Sequence, residues 1–197
     1  MKPRGCPVPH TDSGLNANTV GVTSYAVFLR GINVNGISIK MADLRTALEP
    51  LPVENVRTIL ASGNVVVDSH LPGSELKATI ESSLRTRFGY DAWVVVITTH
   101  RVAELAAACP YPADDPTTHA YITLASDASA LDELGAAAAA AQPPDVSVVR
   151  LGPEAIAWTA PVGATLETAM SKLTGAARYK RSTTTRNLRT LLRIGGA

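Results

Sequence analysis

Short apolar runs alternate along the chain with stretches in which apolar residues recur every three or four positions. Ser24 to Arg30 (SYAVFLR) is of strand length, rich in β-formers and closed by Gly31, which predicts a buried strand. After a loop from Gly31 to Lys40, Met41, Leu44, Ala47 and Leu48 fall at helical spacing until Pro50 ends the run. Asn55 to Ala61 and Asn64 to Asp68 predict two strands joined at Ser62-Gly63 in a tight hairpin. The consecutive Val65, Val66 and Val67 predict a strand covered on both faces. Ser74 to Phe88 carries the stripe Leu76, Ile80, Leu84 and Phe88 and stops at Gly89, a helix signature. Ala92 to Thr98 (AWVVVIT) predicts another strand. This order predicts a ferredoxin-like unit (βαββαβ, an α/β plait), with helices on one face of an antiparallel sheet and the first and third strands central.

The second half repeats the first in outline. Val102 to Ala108 predicts a helix, a loop follows through Pro110, Pro112 and Pro116, and Ala120 to Ala125 predicts a strand. Ala128 to Ala141, with its run of alanines, reads as helix up to Pro143-Pro144. Val146 to Leu151 and Ala155 to Ala160 predict a hairpin about Gly152-Pro153. Helices are expected near Leu166 to Leu173 and over Thr185 to Ile194, with a final strand near Ala176 to Lys180. The expected fold class is α+β: two ferredoxin-like units with antiparallel sheets. The expected organisation is a disordered leader over residues 1–23, one unit over 24–98, and a second over 99–197 that ends in a basic helix.

With 46% hydrophobic and 18% charged residues and a net charge of +1, the 197-residue chain has the composition of an ordinary globular protein. No apolar run approaches bilayer-crossing length, and Met1 to Thr23 has no apolar core of the signal-peptide kind, so no membrane partner is expected. Cys6 and Cys109 make no disulfide framework and fit a reducing, cytoplasmic compartment, with Cys109 a candidate nucleophile. Charge is polarised: Lys172, Arg178, Lys180, Arg181, Arg186, Arg189 and Arg193 face no acid from Lys172 onward, leaving the rest of the chain net acidic. An anionic partner is one reading of this tail; pairing with acids elsewhere, or simple solvation, is the other.

Three polar stretches stand out on loops: Arg30-Gly31-Ile32-Asn33 running to Gly36, Ser62-Gly63-Asn64, and Thr184-Thr185-Arg186-Asn187. Set in FLRGINVNG…KMADL, ASGNVVVDS and STTTRNLRTLL, from Tyr25 to about Ile194, they closely resemble the bacterial family of unknown function numbered 1697. That resemblance implies two ferredoxin-like units and no established reaction, substrate or cofactor. GINVNGIS has two glycines between a strand and a helix, yet Ile37-Ser38 stands where a phosphate-gripping P-loop needs Lys-Ser/Thr, so it is no Walker A site. Gly31 and Gly36 equally suit a strand-to-helix turn in which Asn33 and Asn35 bond nearby backbone. Ser62-Gly63-Asn64 suits a hairpin turn, its amide positioned to brace the first loop. Ser182, Thr183 and Thr184 are candidate caps for a helix LRTLLRI, which would bring free backbone N–H groups and Arg186 to one anion-accepting end. Alternatively the motif is plain capping, with Arg186 solvated or paired to a carboxylate such as Asp43.

No catalytic constellation is recognisable. His10, His70, His100 and His119 share no metal-ligand spacing, no G-x-S-x-G or G-x-G-x-x-G motif appears, and no metal or cofactor is expected. The central strands lack the aromatic platform of RNA-binding modules; Tyr25 and Phe28 alone do not supply it. The leading expectation is a ligand-binding protein whose two halves form a small anion-accepting cleft from Arg30, Asn33, Lys40, Asn64, Arg186 and Asn187, for a phosphate- or carboxylate-bearing ligand. The alternatives are an enzyme on a small phosphorylated or carboxylated metabolite, weak nucleic-acid association through the basic tail, or motifs that merely lock two units together. Oligomeric state is not legible in the chain.

Overall fold

Alternation along the first strand, β1 (Thr23–Arg30), sends Ala26 and Phe28 to one face of a sheet and Tyr25, Val27 and Leu29 to the other, and all five are buried. The structure is a computed structural model, and it describes residues 21–32, 39–89, 91–141 and 147–196. β1 is followed by α1 (Met41–Leu48), β2 (Glu54–Ile59), β3 (Asn64–Ser69), α2 (Gly73–Phe88) and β4 (Trp93–Thr98). These strands form one antiparallel sheet in the order β2-β3-β1-β4. After α3 (Thr99–Ala107) come β5 (Thr118–Ala125), α4 (Ala128–Ala140), β6 (Val148–Gly152), β7 (Ala155–Pro161), α5 (Ala169–Gly175), β8 (Thr183–Asn187) and α6 (Leu188–Gly195). Their strands form a second antiparallel sheet in the order β6-β7-β5-β8. The fold is therefore α+β, with two four-stranded antiparallel sheets and their helices.

Three apolar clusters hold these layers together. α1 and α2 lay Leu44, Leu48, Leu76, Ile80 and Leu84 against Val27, Leu29, Val65 and Val67 on the outer face of the first sheet. α4 and α5 cover the outer face of the second sheet, where Leu131, Leu134 and Met170 pack with Ile156 and Trp158. The inner faces enclose α3 and α6, whose Val102, Leu105, Leu188, Leu191 and Ile194 meet Phe28 and Val66 on one side and Ile122, Leu124 and Ala157 on the other. Helices thus cover both faces of each sheet, where one covered face was expected, because the inner faces share α3 and α6. This explains why Val65, Val66 and Val67 are all apolar: Val66 faces the shared core, and its neighbours face the outer one. The two inner helices approach closely at Gly195, where a Cβ would lie 2.9 Å from the Cα of Ala103.

The C-terminal segment differs from its sequence reading. Ala176 to Lys180 holds no strand; a 3-10 turn spans Ala177–Tyr179, and another, Thr165–Glu167, precedes α5. The strand is Thr183–Asn187, so the last helix begins at Leu188 and not at Thr185. Threonines that resemble helix caps in isolation are also β-branched strand formers, and here pairing with β5 prevails. A buried hydroxyl relay fixes the register: Thr123 and Thr185 are bonded at 2.9 Å, and the Trp158 indole N–H donates to Thr123 Oγ1 at 3.0 Å. Most of the expected leader, with Cys6, lies outside the described residues, as do Asn33, Asn35 and Gly36. Among the described residues, no helix is long and apolar enough to cross a membrane.

Candidate functional site

Two arginines from opposite sheets reach across to each other's half. Arg30 ends β1, and Arg186 is the fourth residue of β8, a strand that runs beside the ends of β1 and β4. Arg30 Nη1 donates to the carbonyl oxygen of Thr183 at 2.6 Å and to its hydroxyl at 3.0 Å, and Nη2 donates to the carbonyl of Thr174. Arg186 returns the contact. Its Nε donates to Asn64 Oδ1 at 2.6 Å, its Nη2 to the Leu29 carbonyl at 2.6 Å and more weakly to those of Ser62 and Gly63, while Nη1 is held by Thr184 Oγ1 and the Thr185 carbonyl. The Arg186 guanidinium also lies 5.7 Å from the centre of the Phe28 ring.

Asn64 makes this possible. It opens β3, is fully buried, and donates from Nδ2 to the Ile59 carbonyl at 3.0 Å and to Ser62 Oγ at 2.9 Å. Its remaining acceptor, Oδ1, is thereby aimed at Arg186. Gly63 turns the hairpin at φ +72°, and its missing Cβ leaves room for Ile32 above it.

Between the halves, beside the arginines, lies a cleft of about 820 Å³. Arg30, Arg186 and Lys180 line it, with Ser62, Ser171, Gly31, Ile32, Trp93 and Leu166. No carboxylate pairs with any of the three cations among the described residues. Asp91, at the same cleft, is committed to Arg85 Nε at 2.8 Å. Burial lowers the pKa of Arg30. Arg186 is lowered to about 10, first by burial and then by the charge of Arg30. Both guanidinium groups are charged at neutral pH, in surroundings that disfavour the charge. Although Arg186 keeps some surface toward the cleft, its guanidinium is enclosed by the acceptors named above.

The two arginines differ in what they can still offer. A guanidinium has five N–H donors. Arg186 has an acceptor for each, so it lends the cleft charge and no free donor. Arg30 uses three, and its Nε–H and one Nη2–H have no acceptor among the described residues. Lys180 is exposed and makes no ion pair among them.

Of the residues singled out in the sequence, Arg30, Asn64 and Arg186 come together, and Asn33 lies outside the described residues. Lys40 is exposed at the entrance to α1 and does not line the cleft. Asn187 is also elsewhere: its Oδ1 accepts from the backbone N–H of Arg189 at 2.9 Å and caps α6, so the cap is Asn187 and not Ser182, Thr183 or Thr184. The helix end and Arg186 therefore do not form a joint anion site, and among the described residues Arg186 is paired with no carboxylate, Asp43 included.

Lys180, Trp93, Leu166 and Ser171 belong to the cleft and were not singled out; for Lys180 the acid-free run from Lys172 was the available signal. The cations of that run divide. Arg178 lies over Tyr179, Arg181 over Trp93, and Arg189 bonds the Ala113 carbonyl and Asp114. Cys109 is half-buried, and burial pushes its thiol pKa up, opposite to what a nucleophile needs. Among the described residues no group of three or more His, Cys, Asp or Glu is placed to hold a metal ion.

A family model described as "Protein of unknown function (DUF1697)" matches residues 22–154, from β1 through the β6–β7 turn. The TTTRN motif and Lys180 lie beyond the matched segment. The structure is similar to that of a conserved bacterial protein, SP0830, from Streptococcus pneumoniae, with 25% identity and a TM-score of 0.72 over 89% of this chain and 98% of that one. An unknown protein from Galdieria sulphuraria, 16% identical over 85% of this chain and 98% of that one, aligns with a TM-score of 0.26. No curated protein matches the chain.

Proposed function

The chain belongs to the DUF1697 family of proteins of unknown function, and we propose that it binds a small phosphate- or carboxylate-bearing anion in the cleft between its two sheets. The observation that carries this reading is the set of three cations, Arg30, Lys180 and Arg186, at one cleft, with no acid among the described residues paired to them. Burying a cation without a counter-charge is costly, and an anion entering the cleft would relieve that cost. In this reading Arg30 and Lys180 supply the hydrogen bonds and Arg186 supplies fixed charge from behind. Among the described residues Asp91 is the carboxylate lining the cleft, and it is held by Arg85. We read residues 24–98 and 99–197 as two ferredoxin-like units, with the ligand at their junction.

One observation favours a second reading, in which Arg186 is purely a clasp: all five of its N–H groups are already satisfied by protein. Thermal unfolding in phosphate against chloride at equal ionic strength separates the two. A ligand that binds only the folded chain at about 100 times its Kd stabilises by about 2.7 kcal/mol, roughly 5–10 °C for a domain of this size. Anion binding predicts that rise in the wild type and its loss in Lys180→Gln, a surface change that leaves the clasp intact. No specific rise with phosphate, or an equal rise in Lys180→Gln, leaves the clasp as the whole role.

A further inference from the structure

The cleft has a second kind of wall that the anion reading does not use. Trp93 opens β4 directly opposite Arg30 in the β1–β4 register, so its half-buried ring flanks the cations. The Arg181 guanidinium lies 5.8 Å from the centre of that ring. Leu166, in the 3-10 turn before α5, also lines the cleft and is 84% exposed, more than any other large apolar side chain among the described residues. An isolated exposed leucine needs no explanation, but one sharing a cleft with a half-buried tryptophan makes an apolar surface beside a cationic one. A volume of about 820 Å³ is in the range of clefts that enclose whole organic ligands, and a bare phosphate would leave most of it to water.

We propose that the anion enters attached to a planar ring, as in a nucleoside monophosphate, with the ring on Trp93 and against Leu166 and the anionic group on Arg30 and Lys180. This rests on the anion reading above and adds the class of ligand. An aromatic ring suits Trp93 better than an alkyl chain because offset stacking adds to burial and Arg181 polarises the indole.

The test compares inorganic phosphate, ribose 5-phosphate, hexyl phosphate and adenosine 5′-monophosphate by calorimetry on the full chain. Tryptophan fluorescence provides a second readout, since of the two tryptophans Trp158 is buried against Tyr121 and Trp93 faces the cleft. The adenosine ligand is expected to bind at least tenfold more tightly than ribose 5-phosphate and to quench the emission. That advantage is expected to vanish in Trp93→Ala and to shrink several-fold in Leu166→Ser, an exposed substitution that removes no core contact.

Equal affinities for the adenosine and ribose ligands would overturn the ring proposal while phosphate binding still upheld the anion reading. An equal gain for hexyl phosphate, or an adenosine advantage that survives both substitutions, would overturn it too. Absence of binding by all four probes would overturn both.

Discussion

Replacing Arg186 by alanine is expected to lower the stability of the folded chain by about 2–4 kcal/mol, a fall in midpoint of roughly 6–12 °C in thermal unfolding. The reason lies in the acceptors left behind. Asn64 Oδ1 and the Leu29 carbonyl each take a 2.6 Å bond from this one guanidinium. A buried acceptor without a donor costs about 1–3 kcal/mol, and relief of the cation's own burial offsets part of the sum. The Ser62 carbonyl, bonded at 3.3 Å, belongs to an exposed residue of the cleft and regains water more easily, and the Gly63 carbonyl, bonded at 3.5 Å, keeps the Leu29 N–H as a donor at 2.8 Å. Arg186→Lys keeps the charge but not the planar fork, so it is expected to recover less than half of the loss. A midpoint for Arg186→Ala within about 1 °C of wild type would show that the reciprocal contacts do not hold the halves together.

Gly63→Ala is expected to be nearly as costly, although it deletes nothing. At φ +72° an alanine is strained by about 1–2 kcal/mol. Its Cβ would run into Ile32 Cδ1 and lie 2.9 Å from Cγ1 of the same side chain and 3.1 Å from Leu29 Cβ. Ile32 can rotate away, but Leu29 Cβ is fixed by β1, and overpacking of this kind costs about 1–3 kcal/mol. The combined loss is about 2–5 kcal/mol, toward the lower end where Ile32 rotates away, measured by denaturant unfolding. Because the same turn positions Asn64 for Arg186, Gly63→Ala and Arg186→Ala should be less than additive in a double-mutant cycle. Full additivity would mean that the hairpin and the arginine act independently.

Much of the architecture was legible because its signals are local. The apolar run SYAVFLR, the stripe Leu76, Ile80 and Leu84, and the alanine-rich helix fell where the pattern put them. TTTRN is ambiguous in the sequence because short-range cap chemistry and strand propensity compete in threonine, and the pairing with β5 that decides between them comes from about 60 residues earlier in the chain. The site was half legible for the same kind of reason. Arg30, Asn64 and Arg186 stood out as polar residues in turn-like motifs, but the contacts joining them span 122 to 157 residues and leave no periodicity to read. Asn187 belongs to the same motif, yet its amide is spent on capping α6. Trp93 and Leu166 looked like ordinary apolar letters, because only the tertiary arrangement puts them on a cleft wall.

The central claim is that the cations of the cleft, which pair with no carboxylate among the described residues, hold an anion, and calorimetric titration of inorganic phosphate into the full chain tests it most directly. The account predicts saturable one-to-one binding, at least tenfold weaker in Arg30→Gln, or about 1.4 kcal/mol. Arg193→Gln, an exposed change in a different cleft, should bind as the wild type does. Absence of saturable heat in the wild type, or equal weakening by Arg30→Gln and Arg193→Gln, would contradict it.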